Sequence, residues 1–265
     1  MVAQPLPPRA HSLARTAFLQ GGVPLSSLAD ASDVPLVQNY FTISDASRFV
    51  LAFGTNPIGS TEMDPMLIRW SDQENAANWT PTATTQAGDI RLSHGSEIVT
   101  AMQVRQEIVV WTDSSLYSLQ YLGPPYIWGS QLLGDNLSIA GPNATALASG
   151  ISFWMGVDKF YMYDGSIKTL RCDLRQFIFE DINKSQFDQV YASTNEGFNE
   201  VWWFYCSENS TVVDRYVTYN YAEDVWCYGT MAVPHGWTLV CAITQLLRPT
   251  TTISSTTNSG LNDNE

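Results

Sequence analysis

The chain has 265 residues, of which 45% are hydrophobic and 12% aromatic, which is enough for a large buried core and too apolar for a disordered or fibrous protein. Charged residues make up only 15%, and 26 acids against 13 bases give a formal net charge of −13. Because excess negative charge repels phosphate, this composition disfavours a protein that holds nucleic acid.

Residues 1–39 are predicted to form an irregular N-terminal segment. The first 22 residues hold prolines and arginines instead of an apolar run, so no signal peptide is expected and the chain is expected to be made in a cytosol. This stretch is a candidate for misread sequence or an incorrectly assigned start. The chain contains no run of 18 apolar residues, so no membrane segment is expected.

Residues 40–231 are predicted to form an all-β body, because short β-branched and aromatic runs recur there between Gly, Pro, Asn or Asp. One helical turn is predicted at 173–183, where apolar residues fall near helical spacing. The predicted strands include 40–44, 49–54, 65–70, 97–102, 107–111, 116–121, 151–155, 160–163, 200–206, 214–221 and 225–228.

Four hairpins are predicted within this body, at residues 107–119, 152–165, 202–221 and 220–229. The first two share one order: an apolar strand, an aspartate turn and a strand that carries tyrosine. We expect Asp113 and Asp158 to accept backbone N–H bonds in those turns. The third hairpin has a longer loop through 208–210.

Tryptophans in comparable strands suggest a repeat, since Trp70, Trp111, Trp154 and Trp203 follow one another at intervals of 41, 43 and 49 residues. Four-stranded propeller blades recur at about 40–50 residues. The spacing favours a β-propeller-like array of antiparallel blades, with a β-sandwich of short hairpins as the alternative. Three to five blades fit this length, which leaves open whether the array is incomplete within this chain.

Residues suited to catalysis or metal binding are sparse. The histidines are His11, His94 and His235, and the cysteines are Cys172, Cys206, Cys227 and Cys241. The histidines lack the context of a catalytic triad, the cysteines form no CxxC pair and are predicted to be free thiols, and no glycine-rich phosphate loop follows a strand. We therefore predict no enzyme and no catalytic, cofactor-binding or metal-binding residue.

The segment RWSDQENAANWTP at 69–81 holds four candidate polar residues, Asp72, Glu74, Asn75 and Asn78. It is similar to the aspartate-box turns of sialidases, whose relatives use paired carboxylates on sugars, but it lacks the glycine after the aspartate and Trp79 follows too late. The favoured interpretation is an ordered loop whose Asx side chains cap backbone groups and whose tryptophans pack in the blade. Arg69, beside Trp70, is expected to make a structural cation–π or ion-pair contact.

Several segments resemble the tail nozzle or hub proteins of short-tailed bacteriophages, a family that includes packaged-DNA stabilisation proteins. These segments are 44–92, 95–129, 135–144, 153–165 and 200–231, within an overall similarity from about 35 to 231. The most specific element is R-W-S-D-x-E-x-x-x-x-W-x-P at 69–81, followed by Q-A-G at 86–88.

The resemblance implies a structural virion protein without an active site. It implies a propeller body, a homohexameric ring below the portal and adaptor, and neighbouring fibre, spike or needle proteins in the virion tail, assembled in the host bacterial cytoplasm. The ring would retain packaged double-stranded DNA and let it pass during genome ejection.

The net charge then predicts an acidic channel wall that repels passing phosphate, and a wall lined mainly by Arg48, Arg69, Arg105 and Arg175 would contradict this. Two alternatives remain open. One is a carbohydrate-binding or glycoside-acting, sialidase-like propeller, whose exposed tryptophans would stack on sugars. The other is a protein-interaction propeller with apolar residues on one rim.

Residues 232–265 are predicted to form a separate C-terminal segment. The stretch 233–257 has neither the aromatics nor the alternation of the preceding strands. Our hypothesis is a compensated frameshift, because codons for this stretch can be chosen so that another reading frame gives a Trp-x-Asp turn and a tyrosine-rich strand and rejoins the chain at 258.

Overall fold

A computed structural model describes residues 33–231, which form four four-stranded antiparallel sheets, each a meander of consecutive strands. Blade 1 contains β1 (Gln38–Ser44), β2 (Phe49–Thr55), β3 (Asp64–Trp70) and β4 (Gly88–Arg91). Blade 2 contains β5 (Ile98–Val104), β6 (Glu107–Thr112), β7 (Ser115–Gly123) and β8 (Ile127–Asp135). Blade 3 contains β9 (Thr145–Ala148), β10 (Ile151–Met155), β11 (Phe160–Tyr163) and β12 (Ile167–Leu170). Blade 4 contains β13 (Tyr191–Asn195), β14 (Glu200–Tyr205), β15 (Arg215–Asn220) and β16 (Val225–Thr230).

The predicted all-β, propeller-like fold is confirmed, with four blades in the described residues against the expected three to five. Helix α1 (Arg175–Asp181) lies within the predicted helical turn, and 3₁₀ turns follow at Lys184–Gln189 and Glu196–Phe198. The four predicted hairpins are the β6–β7, β10–β11, β14–β15 and β15–β16 pairs. Five strands absent from the sequence prediction are β4, β8, β9, β12 and β13.

Consecutive blades meet through their first strands. The Asn39 side chain donates to the Ile98 carbonyl at 3.3 Å, and the Thr145 hydroxyl approaches the Met102 sulfur at 3.8 Å. The Ala192 N–H donates to the carbonyl of Asn143, just before β9, at 2.7 Å. The first strands therefore form the inner side of the array, and the fourth strands form its outer side.

The core lies between the blades and is built from their central strands. All seven residues of β2 are buried, and one apolar cluster joins blades 1 and 2 while a second joins blades 2, 3 and 4. The rings of Trp111 and Trp154 meet edge to face across blades 2 and 3, with centroids 5.6 Å apart. Such wedge-like packing explains why the chain needs so many aromatic residues.

The tryptophan interval requires one correction. Trp111, Trp154 and Trp203 lie in the second strands of blades 2, 3 and 4, but Trp70 lies in the third strand of blade 1. The interval from Trp70 to Trp111 is therefore not a blade repeat. Blade 1 is longer than the others because the loop 71–87 separates β3 from β4.

Several sequence predictions lie outside the described residues. They are the N-terminal segment up to residue 32, His11, His235, Cys241 and the frameshift hypothesis for 233–257.

Candidate functional site

The loop after β3, which carries the most specific sequence motif, seals one face of blade 1. Trp79 is almost fully buried and packs on Val50 and Ala52 of β2. Asp72 Oδ1 accepts the Gln86 N–H at 2.8 Å, and Asn75 and Asn78 each accept the N–H two residues ahead. The interpretation as an ordered loop with Asx caps and packed tryptophans is confirmed.

Arg69 is buried under this loop, with 1% of its surface exposed. Its Nη1 donates to the Asn56 carbonyl at 3.2 Å and its Nη2 to the Asp33 carbonyl at 2.5 Å. Burial lowers the pKa of the guanidinium, while the charges of Asp33 and Asp89 oppose that shift. Arg69 is structural, as expected, but through backbone carbonyls and not through Trp70, because adjacent strand residues point to opposite faces.

The acids of the loop have partners within the protein. Glu74 pairs with Arg48 at the surface. Asp64, at the start of β3 and outside the loop, binds Arg91 at 2.7 Å. The four polar residues that suggested sugar chemistry are thus used for loop structure or for a surface ion pair.

The aspartate turns differ from one another. Asp113 accepts the N–H of Ser96 at 2.8 Å and its hydroxyl at 2.6 Å, and these bonds hold its pKa below the usual value although burial alone would raise it. The two shorter bonds come from the segment before β5, and the Ser114 hydroxyl of the turn adds a longer one at 3.5 Å. Asp158 lies in its turn but faces Lys159 at 3.8 Å, so the expected backbone bond there was wrong.

His94 is held by hydrogen bonds at the surface. Its Nδ1 lies 2.9 Å from the Ser93 hydroxyl and 3.2 Å from the Tyr117 hydroxyl, which also accepts the His94 N–H at 2.7 Å. Within residues 33–231, no group of three His, Cys, Asp or Glu side chains is placed to hold a metal ion.

The outward face of blade 4, which does not contact blade 3, carries stacked aromatic rings. The centroids of Tyr191 and Phe204 are 5.0 Å apart, as are those of Trp202 and Tyr216. Cys227 of β16 shares this face through the Trp202–Thr218–Cys227 register. The rings form an apolar patch on this face, and Glu200 at the start of β14 accepts the Trp202 indole N–H at 3.0 Å.

The β7–β8 hairpin is the longest in the fold and extends beyond its neighbour β6. The pairing of β6 with β7 ends at Glu107 and Gln120, whereas β7 continues to Gly123. An open cavity of about 580 Å³ lies at this step, lined by Arg105, Gln106, Glu107, Gln120 and Tyr121. The sequence prediction did not single out this site.

The four inner strands contain no charged residue: their sequences are QNYFTIS, IVTAMQV, TALA and YASTN. The four arginines of the channel hypothesis also lie elsewhere. Arg69 is buried in blade 1, Arg48 pairs with Glu74, Arg105 is in the β5–β6 turn, and Arg175 begins α1. An acidic channel wall would therefore have to come from loops or outer surfaces.

Comparisons with known proteins show no family for this chain. No family model matches the chain, and no curated protein sequence matches it. Among solved structures, the N-terminal domain of Nup159 aligns at 8% identity with a TM-score of 0.40, covering 78% of this chain and 47% of that one. A Saccharomyces cerevisiae complex of Dbp5 bound to Nup159, Gle1, IP6 and ADP aligns at 9% identity with a TM-score of 0.42 and the same coverage. The chain thus spans about half the length of these structures. No helix among the described residues is long and apolar enough to cross a membrane.

Proposed function

We propose that this chain is a structural subunit of the tail nozzle of a short-tailed bacteriophage. The observation that carries the proposal is the 69–81 segment with the Q-A-G that follows it, since this is the most specific part of the resemblance. In the fold the same segment seals blade 1 through Trp79 and Arg69. A segment whose side chains hold the blade together suits a structural role.

In this role the subunit acts by shape and charge. Six copies form a ring below the portal and adaptor, and fibre, spike or needle proteins attach to it in the virion tail. Double-stranded DNA passes through without being held, because a chain with net charge −13 repels phosphate within a Debye length of about 8–10 Å.

Ring formation is the direct test. The full chain is purified, its mass distribution is measured by mass photometry over a concentration series, and its particles are imaged by negative-stain microscopy. We expect sixfold rings with a central channel, and a strictly monomeric protein at every concentration would contradict the proposal.

DNA binding is the second test. A gel-shift assay with linear duplex at low salt should show no complex, because the repulsion is strongest there. Tight binding under these conditions would contradict a conduit that lets DNA slide.

The carbohydrate alternative has no specific support in the described residues, because the acids of the 69–81 loop already bind backbone groups or Arg48. A monomer that is retained on a glycan array would favour it over the nozzle.

A further inference from the structure

We propose that the step between β6 and β7 binds the free carboxyl terminus of an extended peptide from a partner protein. The proposal does not depend on the nozzle assignment, since a chain that fails to form rings could still bind such a peptide. It rests on an unpaired strand edge, a cation at the end of that edge and an adjoining open cavity.

The strand edge is the stretch of β7 from Tyr121 to Gly123. On one side it pairs with β8, with Tyr121 opposite Trp128 and Gly123 opposite Ile127. On the other side β6 has already ended, because its pairing stops at Glu107 opposite Gln120. Backbone groups that this stretch directs toward the β6 side have no strand among residues 33–231 to pair with, and a peptide can add there as a further strand.

The edge is held rigidly, which lowers the entropic cost of binding. The Tyr121 ring contacts the rings of Phe49 and Trp128, with centroid distances of 5.6 Å to each. Beyond this anchor the hairpin presents apolar surface, since Leu122 is 58% and Tyr126 77% exposed. A peptide strand placed there would cover part of that surface.

Strand direction decides which end of the peptide meets the cation. A peptide that adds antiparallel to β7 runs in the same direction as β6. It therefore runs from Gly123 toward Gln120 and the β5–β6 turn. Its carboxyl end therefore arrives at Arg105, an exposed residue in that turn that forms no ion pair within the described part of the chain.

Glu107 lines the same cavity, but its carboxylate is already occupied. Its Oε1 accepts the Tyr163 hydroxyl at 2.7 Å, and its Oε2 accepts from Ser118 and from Gln120. The Arg105 guanidinium thus remains the free charged donor of the cavity, and it suits a carboxylate, with which it can form paired hydrogen bonds.

In the test, a library of random heptapeptides displayed with free carboxyl termini is selected for binding to the full chain. Arg105→Gln serves as the counter-selection target, and the winning peptides are synthesised as free acids and as carboxyl-terminal amides. Binding is measured by fluorescence anisotropy against the unmodified chain, Arg105→Gln and Arg171→Gln. The last is the matched control, because it removes the same charge from an arginine that is 92% exposed and outside the cavity.

We expect the free acid to bind about tenfold or more tightly than its amide, and Arg105→Gln to weaken binding by a similar factor, the size of a charge-assisted hydrogen bond. Arg171→Gln should bind like the unmodified chain, and hydrogen exchange should slow at residues 121–123 on binding. The proposal is overturned if no peptide is enriched, if acid and amide bind equally, if the two arginine variants behave alike, or if protection appears at another site.

Discussion

The two ends of the blade array are finished in different ways. The outward face of blade 1 is sealed by the chain itself, since Trp79 covers Val50 and Ala52 and the Arg69 guanidinium is buried beneath the loop. The outward face of blade 4 carries rings that stack on one another, with Trp202 and Tyr216 only half-buried.

The blade 1 face should therefore contribute more to folding stability, and the blade 4 face should be more accessible to another molecule. Sealing a sheet face removes apolar surface from water completely, but it also buries a cation that must then be satisfied by carbonyls and nearby acids. Stacking rings on a face buries less area and leaves a surface that another molecule can cover. Residues of the blade 1 face should therefore affect unfolding more strongly than their counterparts on blade 4.

The largest expected effect is the loss of the blade 1 cover. Trp79→Ala should lower the free energy of unfolding by about 3–5 kcal/mol, because it removes a buried indole and opens the face of β2. Trp202→Ala, the matched change on blade 4, should cost about 1–2 kcal/mol, since its ring is half-buried and the lost apolar burial is smaller. Urea denaturation measures both, and equal losses would contradict the contrast between the two faces.

The buried cation should have the next largest effect. Arg69→Met should cost about 3 kcal/mol, because it leaves the carbonyls of Asn56 and Asp33 without their donor and removes the positive charge near Asp89. Arg48→Met breaks only the exposed pair with Glu74 and should cost at most about 1 kcal/mol. If Arg48→Met proved as costly as Arg69→Met, burial of the cation would not be what stabilises this face.

On blade 4, Tyr191 offers a pH-dependent probe. Burial raises its pKa to about 12, so its contribution to stability is complete below its ordinary pKa of about 10 and is lost as the pH rises toward 12. Tyr191→Phe should remove that contribution to the alkaline loss, and at neutral pH its effect on stability should be close to zero because the hydroxyl has no hydrogen-bond partner among residues 33–231.

Tyr219→Phe is the control for this alkaline loss. Burial and its bond to Asp224 raise the pKa of Tyr219 to about 12 as well, but its hydroxyl donates to Asp224 at 2.9 Å. This variant should therefore lose about 1 kcal/mol already at neutral pH. Unfolding curves collected from neutral pH to pH 12 separate the two. Each variant should reduce the alkaline loss without abolishing it, because the other tyrosine keeps its raised pKa, and an alkaline loss that is unchanged in Tyr191→Phe would contradict this role of Tyr191.

The sequence predicted the central strands better than the edge strands for a physical reason. Strands such as β2 and β10 are buried on both faces, so their residues are apolar and stand out. The outer strands β4 and β12, with sequences GDIR and IKTL, and the inner strand β13, with sequence YASTN, face water on at least one side. Their pairing is set by the neighbouring strand, which a single-sequence pattern does not reveal.

The same limit applies to the candidate sites. The 69–81 loop was predicted because part of its structure is local: Asn75 and Asn78 each accept the N–H two residues ahead, and the Trp79 indole donates to the Ala76 carbonyl. The β6–β7 step was missed because it depends on where one strand ends relative to another, which places Arg105 beside Tyr121. The available signal was the uncharged, proline-containing stretch YLGPPY at 121–126.

The smallest perturbation, thiol labelling, shows whether the blade 4 face is bare in solution. Cys227 is exposed on that face, whereas Cys206 is buried. Burial together with the charges of Asp214 and Asp188 raises the pKa of the Cys206 thiol to about 11. Since the thiolate is the reactive form, iodoacetamide at neutral pH should modify Cys227 first and Cys206 only on unfolding. Peptide mass mapping assigns each site, and Cys227→Ser identifies its signal.

Rapid labelling of Cys206 would mean that blade 4 opens readily. Protection of Cys227 in the folded chain, lost in urea, would mean that another surface already covers this face, in which case the two ends of the array are sealed alike.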